Sequence, residues 1–179
     1  MKFNETSVTG VYIICIEQIG DERGYFARMF CEKEFAEHQL SATFVQNSIS
    51  CNKKKGTLRG MHWQAEPYGE NKIVSCIKGA IFDVAVDLRK ESPTYCKWVA
   101  CTLTQHEHTM LYIPRGCAHG FQTLSNDSEV LYCIDQFYHP EHRRSINYND
   151  PALNIPWPLP VSVISENDRQ APFIGFLKE

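Results

Sequence analysis

The run IVSCIKGAIFDVAVDLRK, from Ile73 to Lys90, constrains this chain more than any other stretch. Both of its halves are rich in Val, Ile and Phe and are separated by Lys78-Gly79, so it reads as two strands joined by a hairpin turn. Asp83 and Asp87 lie four apart on the second strand and share a face, which reads as a polar outer face rather than an acid–base pair. The same pattern of a short β-branched or aromatic run closed by turn residues recurs along the chain. It predicts strands at Val11–Ile16, Tyr25–Phe30, Thr43–Ser50 (Phe44 and Gln46 on one face), Leu58–Gln64, Trp98–Leu103, His108–Ile113, Gly120–Leu124 and Val130–Phe137. Pro114, Arg115 and Gly116 occupy turn positions between two of them. Only Glu32–His38 has helical composition, and it is short enough to need packing for stability. After Tyr138 the chain turns proline-rich and polar, which predicts an irregular tail, about 139–179, wrapped over the rest. About ten short strands with little helix predict an all-β sandwich or barrel, a jelly roll first among them, with short peripheral helices. No repeat or linker divides residues 1–179, so a single domain is expected.

Composition narrows the function classes. The 179 residues are 43% hydrophobic and 22% charged, enough to bury a core without disulfide staples. A net charge of -3 supplies no general attraction to nucleic acid or to a membrane surface. Eight cysteines without a CxxC pair or repeated spacing suit reduced core thiols in a cytoplasmic protein. No basic region followed by a long apolar one opens the sequence, and Val11–Ile16 is far too short to span a bilayer.

The chemistry concentrates between Thr57 and Lys72, TLRGMHWQAEPYGENK. Arg59, His62 and Lys72 place a fixed cation, a group that exchanges a proton near neutral pH and an ammonium in one segment. On a regular strand Leu58, Gly60, His62 and Gln64 face one way and Arg59, Met61 and Trp63 the other. Arg59 then joins His62 only where the strand twists or sits at a barrel mouth. The residues alone leave two readings open, a site histidine and a buried histidine satisfied by a backbone carbonyl.

DERGYF (Asp21–Phe26), FVQNS (Phe44–Ser48), LRGMHWQ (Leu58–Gln64), GENKIV (Gly69–Val74), FDVAVDLRKESPTYCKW (Phe82–Trp98), IPRGCAHGFQTLS (Ile113–Ser125), LYC (Leu131–Cys133) and NDPALNIPWP (Asn149–Pro158) follow one another in one order. Together they closely resemble the dTDP-4-dehydrorhamnose 3,5-epimerase family of nucleotide-sugar epimerases. The resemblance implies a cupin-type jelly roll, a double-stranded β-helix, acting as a homodimer without metal or organic cofactor. Pro114, Gly116 and His119 fit half of a metal-cupin signature. The other half would need histidines and a carboxylate where this chain has His62, Gln64 and Lys72, and a fixed ammonium opposes a divalent ion.

By resemblance, His62 is a base that removes a proton next to the sugar 4-keto group, and Asp168 orients it. Lys72 holds the developing oxyanion and Tyr132 is the proton donor on the other side of the ring; from bare sequence Tyr132 would be a core strand tyrosine. Arg23 and Arg59 match diphosphate contacts, Phe26, Gln46 and His119 further ligand contacts, and Tyr138 a stacking partner for the base. The turn bearing Arg23 is expected from the partner subunit. Arg28, Ser48, Arg143 and Asn167 depart from the family pattern at positions around the nucleotide and outer sugar. They leave open a single-carbon epimerase, a 3,4-ketoisomerase and a non-catalytic sugar-binding cupin. The implied role is synthesis of surface carbohydrate such as lipopolysaccharide.

Overall fold

The computed structural model describes residues 1–41 and 43–176. Numbered in chain order, its strands form two facing sheets in which every pair is antiparallel. The six-stranded sheet runs β1 (Lys2–Glu5), β2 (Tyr12–Cys15), β10 (Thr109–Ile113), β7 (Lys72–Lys78), β12 (Ser128–Ile134), β5 (Gln46–Asn52). The five-stranded sheet runs β13 (Arg143–Ser145), β6 (Leu58–Gln64), β11 (Cys117–Thr123), β8 (Ala80–Asp87), β9 (Trp98–Thr104). A separate ribbon pairs β3 (Gln18–Asp21) with β4 (Gly24–Ala27), and the helices are α1 (Glu32–Glu37) and α2 (Glu166–Arg169). From β5 to β12 the chain changes sheet at every connection except β8 to β9, which makes the fold a cupin jelly roll.

Alternation along each strand sorts side chains into three apolar layers. Between the sheets lie Val74, Ile81, Ala85, Leu103, Leu111, Ile113, Phe121 and Val130. On the outer face of the five-stranded sheet, Met61, Val84, Val86 and Ala118 are covered by Ile146, Leu153, Ile155 and Trp157 of the C-terminal segment. Outside the other sheet, Ile14, Ile73, Met110 and Tyr112 pack on Phe35, the buried residue of α1.

The structure departs from several of these expectations. The runs around Gly79 do not form a hairpin: β7 pairs with β10 and β12, whereas β8 pairs with β11 and β9 in the opposite sheet. Each run is buried along most of its length and needs neighbours on both edges, which a single turn partner cannot supply. Asp83 and Asp87 are not on an outer face but fully buried, on the inward side of β8 with Ile81 and Ala85. Finally, the expected strand Thr43–Ser50 begins only at Gln46, because Phe44 packs against Phe35 and Phe30 instead of extending the ladder. The expected strands at Tyr25 and Val130 end early, at Ala27 and Ile134. β1, β3, β13 and α2 carry too little pattern to be read.

Candidate active site

The site grows from an irregularity in β6. Opposite β11, His62 pairs with His119 and Arg59 with Phe121, so three steps on β6 match two on β11. This β-bulge inverts the alternation between the two residues, and Arg59 and His62 line the same cavity while Met61 enters the outer core. It depends on Gly60, at φ +115, where a Cβ would lie 2.5 Å from Gly120 Cα and 2.7 Å from the His119 carbonyl oxygen.

His62 Nε2 lies 2.6 Å from Asp168 Oδ1, a partner 106 residues away in sequence. Asp168 is 3% exposed, and Ser165, the N-cap of α2, accepts its backbone N–H at 3.1 Å. The Gly60 N–H donates to Asp168 Oδ2 at 3.3 Å. Burial pushes the Asp168 carboxyl up, but the hydrogen bond and charge of His62, with those from Gly60 and Ser165, outweigh it and leave the group below its ordinary range. With Nε2 committed to the carboxylate, Nδ1 is the ring nitrogen left to act on a ligand. The Arg143 guanidinium, carried in by β13, lies 3.2 Å from His62 Nε2 and 3.7 Å from Asp168 Oδ1. An Nε2–H that faces a carboxylate cannot also accept, so the favourable interaction of Arg143 is with Asp168.

Across the cavity, β12 of the opposite sheet contributes Tyr132, whose ring meets that of His119 edge-on with centroids 5.9 Å apart. Burial drives the Tyr132 phenol far above its ordinary value, the Asp83 carboxylate adds to this and Arg59 offsets part. The phenol is therefore a neutral O–H donor at physiological pH. His119 Nε2 is held 2.7 Å from Asp83 Oδ1, and Arg59 Nε donates to Asn52 Oδ1 at 2.7 Å. His62, Asp168, Tyr132, His119 and Arg59, with Val163, Ile164 and Ser165 of the C-terminal segment, line a cavity of about 490 Å³.

Of the residues expected from sequence, His62, Asp168, Tyr132, Arg59 and His119 thus meet in one cavity. Lys72 lies beside it: its Nζ is 3.5 Å from the His62 carbonyl oxygen and 2.7 Å from Glu70 Oε1. Gln46 and Tyr138 are tied together where the Tyr138 N–H donates to Gln46 Oε1 at 2.7 Å, the tyrosine being exposed. Arg23 and Phe26 are not brought to this cavity by their own chain; they stand exposed on the β3–β4 ribbon, Arg23 paired with Asp21. Gln64, in the ligand-like position noted above, binds the backbone of Tyr68, Phe137 and His139. Among the described residues no cluster of His, Cys, Asp or Glu has the grouping of a metal site. Sequence reasoning missed Asp83 and Glu70. The near-continuous apolar setting of FDVAVDL signals burial of Asp83, since a strand buried on both faces leaves no outer face for a carboxylate.

The chain matches the dTDP-4-dehydrorhamnose 3,5-epimerase family model over residues 5–175. It is 42% identical over 173 residues to a dTDP-4-dehydrorhamnose 3,5-epimerase of Sinorhizobium fredii, covering 96% of this chain and 89% of that one. The crystal structure of a dTDP-4-dehydrorhamnose 3,5-epimerase from Elizabethkingia anophelis superposes with a TM-score of 0.95 at 40% identity, over 98% of this chain and 97% of that one. A dTDP-6-deoxy-D-glucose-3,5-epimerase from Legionella pneumophila, in complex with dTDP-4-keto-L-rhamnose, gives 0.93 at 38% identity, over 99% and 94%.

Proposed function

The chain belongs to the dTDP-4-dehydrorhamnose 3,5-epimerase family, and from that premise we propose that it inverts carbon 3, carbon 5 or both of a dTDP-4-keto-6-deoxyhexose. It is an isomerase that takes a proton from a carbon beside the 4-keto group and returns one to the opposite face. The observation that carries the reading is one cavity holding His62 of one sheet, paired with Asp168 of α2, and Tyr132 of the other sheet. A C–H beside a ketone is weakly acidic, so its removal needs a positioned base and a stabilised enolate oxygen. His62 is the base through Nδ1, and Asp168 orients the ring and balances the imidazolium that forms. Lys72 stabilises the enolate oxygen from beside the base, and Tyr132 delivers the proton from the far side.

Arg59 and His119 bind the substrate within the cavity, and Gln46 and Tyr138 form the shelf for the nucleotide base. Arg23 and Phe26 complete the diphosphate and sugar contacts from a second copy of the chain. The exposed apolar residues of and around the β3–β4 ribbon, Ile19, Tyr25, Phe26 and Met29, favour this homodimer. No nucleic acid, cofactor or membrane enters the reading. Among the described residues no helix is long and apolar enough to cross a bilayer. A cytoplasmic setting fits eight free thiols, although only Cys76 and Cys117 are core residues. The product serves glycan synthesis on this reading.

Incubation with dTDP-4-keto-6-deoxyglucose in deuterated water tests the proposal by NMR. Deuterium at carbons 3 and 5 with both centres inverted identifies a double epimerase, and label with inversion at one carbon a single one. Migration of the carbonyl identifies a ketoisomerase, and an unlabelled, unchanged sugar refutes the epimerase reading for this substrate.

A further inference from the structure

Lys72 is 6% exposed, and Glu70 is the one carboxylate within ion-pair distance of its ammonium among the described residues, at 2.7 Å. Neither side chain of the pair exceeds 10% exposure. The segment between them is pinned: the Asn71 N–H and side-chain amide donate to Asp135 at 2.7 and 2.5 Å, and Asn71 Oδ1 accepts the Arg115 N–H at 3.0 Å. Other titratable groups on the elements packed around Lys72 are Arg59 and His62 on β6, Glu129, Tyr132 and Cys133 on β12, Tyr112 on β10, and Arg115 and Asp135 just beyond those strands. Asp135 is already taken by Asn71, and Arg115 stands 3.8 Å from it. Glu129 pairs with Lys78 at 3.5 Å, and among the described residues no second carboxylate lies within ion-pair distance of the Lys72 ammonium.

We infer that Glu70 is a positioning residue that keeps Lys72 charged and aimed beside the base. The inference rests on the role proposed for Lys72 and adds what that role requires. A buried amine without a counter-ion sheds its proton, and a neutral amine cannot balance an enolate. An ammonium has three N–H donors. One is held by Glu70 and a second points at the His62 carbonyl, which directs the third into the space beside the base. The carboxylate also lowers the net field of the ammonium, so the arrangement favours retention of charge and aim over raw electrostatic strength.

The test compares the parent with Glu70→Gln, Glu70→Asp, Lys72→Met and the Glu70→Gln/Lys72→Met double variant. Proton exchange at carbons 3 and 5 is followed from pH 6 to 10. Glu70→Gln is expected to move the alkaline limb of kcat down by about one pH unit or more, with KM changed less than twofold, and Glu70→Asp to restore the limb. In denaturant, Glu70→Gln alone should lower the midpoint more than the double variant, because only the single change strands a buried charge. An unmoved alkaline limb, or equal destabilisation by Glu70→Gln in both backgrounds, overturns the inference. A raised kcat with an unmoved limb overturns it too, leaving Glu70 as a mere competitor for the ammonium. Failure of the parent to exchange either proton is a separate result and refutes the epimerase reading instead.

Discussion

Changing Asp168 to Asn is a sharp test of the base assignment, because the site dictates how the new amide must sit. In the parent, Asp168 Oδ2 accepts the Gly60 N–H at 3.3 Å and Oδ1 faces His62 Nε2 at 2.6 Å. An asparagine has one acceptor oxygen and one NH₂ group, and the Gly60 N–H requires the oxygen. The NH₂ then faces His62 Nε2, which must become the acceptor, and the ring proton moves to Nδ1. That tautomer presents a proton to the substrate where the mechanism needs a lone pair. The amide fits the same space and keeps the bond to Gly60, so the fold should hold while the base is disabled. A wrong tautomer of this kind costs about 10³- to 10⁴-fold in kcat, or about 4–5.5 kcal/mol at 1.36 kcal/mol per tenfold. The assay is deuterium wash-in at carbons 3 and 5 followed by NMR, with dTDP affinity measured by calorimetry as the control for an intact site. Retention of activity within tenfold of the parent, with dTDP affinity unchanged, would refute the tautomer argument and with it His62 as the base.

Tyr132→Phe should uncouple exchange from inversion: deuterium still enters the substrate, while the inverted product falls at least about 100-fold, as NMR of the sugar ring would show. Gly60→Ala adds a Cβ against Gly120 Cα and the His119 oxygen at a φ of +115, so the variant should lose about 2–4 kcal/mol in urea denaturation or fail to accumulate folded. Burial pushes the Asp87 carboxyl up, yet hydrogen bonds from Arg89, Ser92 and Thr94 outweigh it and bring it from 3.8 to about 2. The folded value lies below the unfolded one, so this group stabilises the fold above about pH 4, and that stability is lost as pH falls from about 4 to 2. The contribution is about 2 kcal/mol, and Asp87→Asn should flatten that part of the acid denaturation curve followed by circular dichroism.

Much of the architecture was written locally. Short β-branched runs closed by Gly, Pro and Asp report extended backbone because branched and aromatic side chains fit a pleated surface and turn residues relieve it. Most strands from β5 to β12 were therefore legible within a few residues, as was the short α1. The three-residue β13 and four-residue α2 were not, since elements that short are imposed by what they pack against. The family resemblance supplied the candidate site residues, but it gave no role to Asp83, which pairs with His119, or to Glu70, which pairs with Lys72.

By itself the sequence determined that this is a chain of short strands with a histidine, an ammonium, a phenol and arginines at set places along it. Only the tertiary structure decided which of them meet. The runs on either side of Gly79 look the same whether they pair with each other or part into opposite sheets, because hydrogen-bond partners are chosen by distant strands and not by the turn. Strand period alone separates Arg59 from His62, and one extra residue opposite β11 brings them to the same face. That bulge is a property of the pairing between strands, and no strand carries its pairing alone.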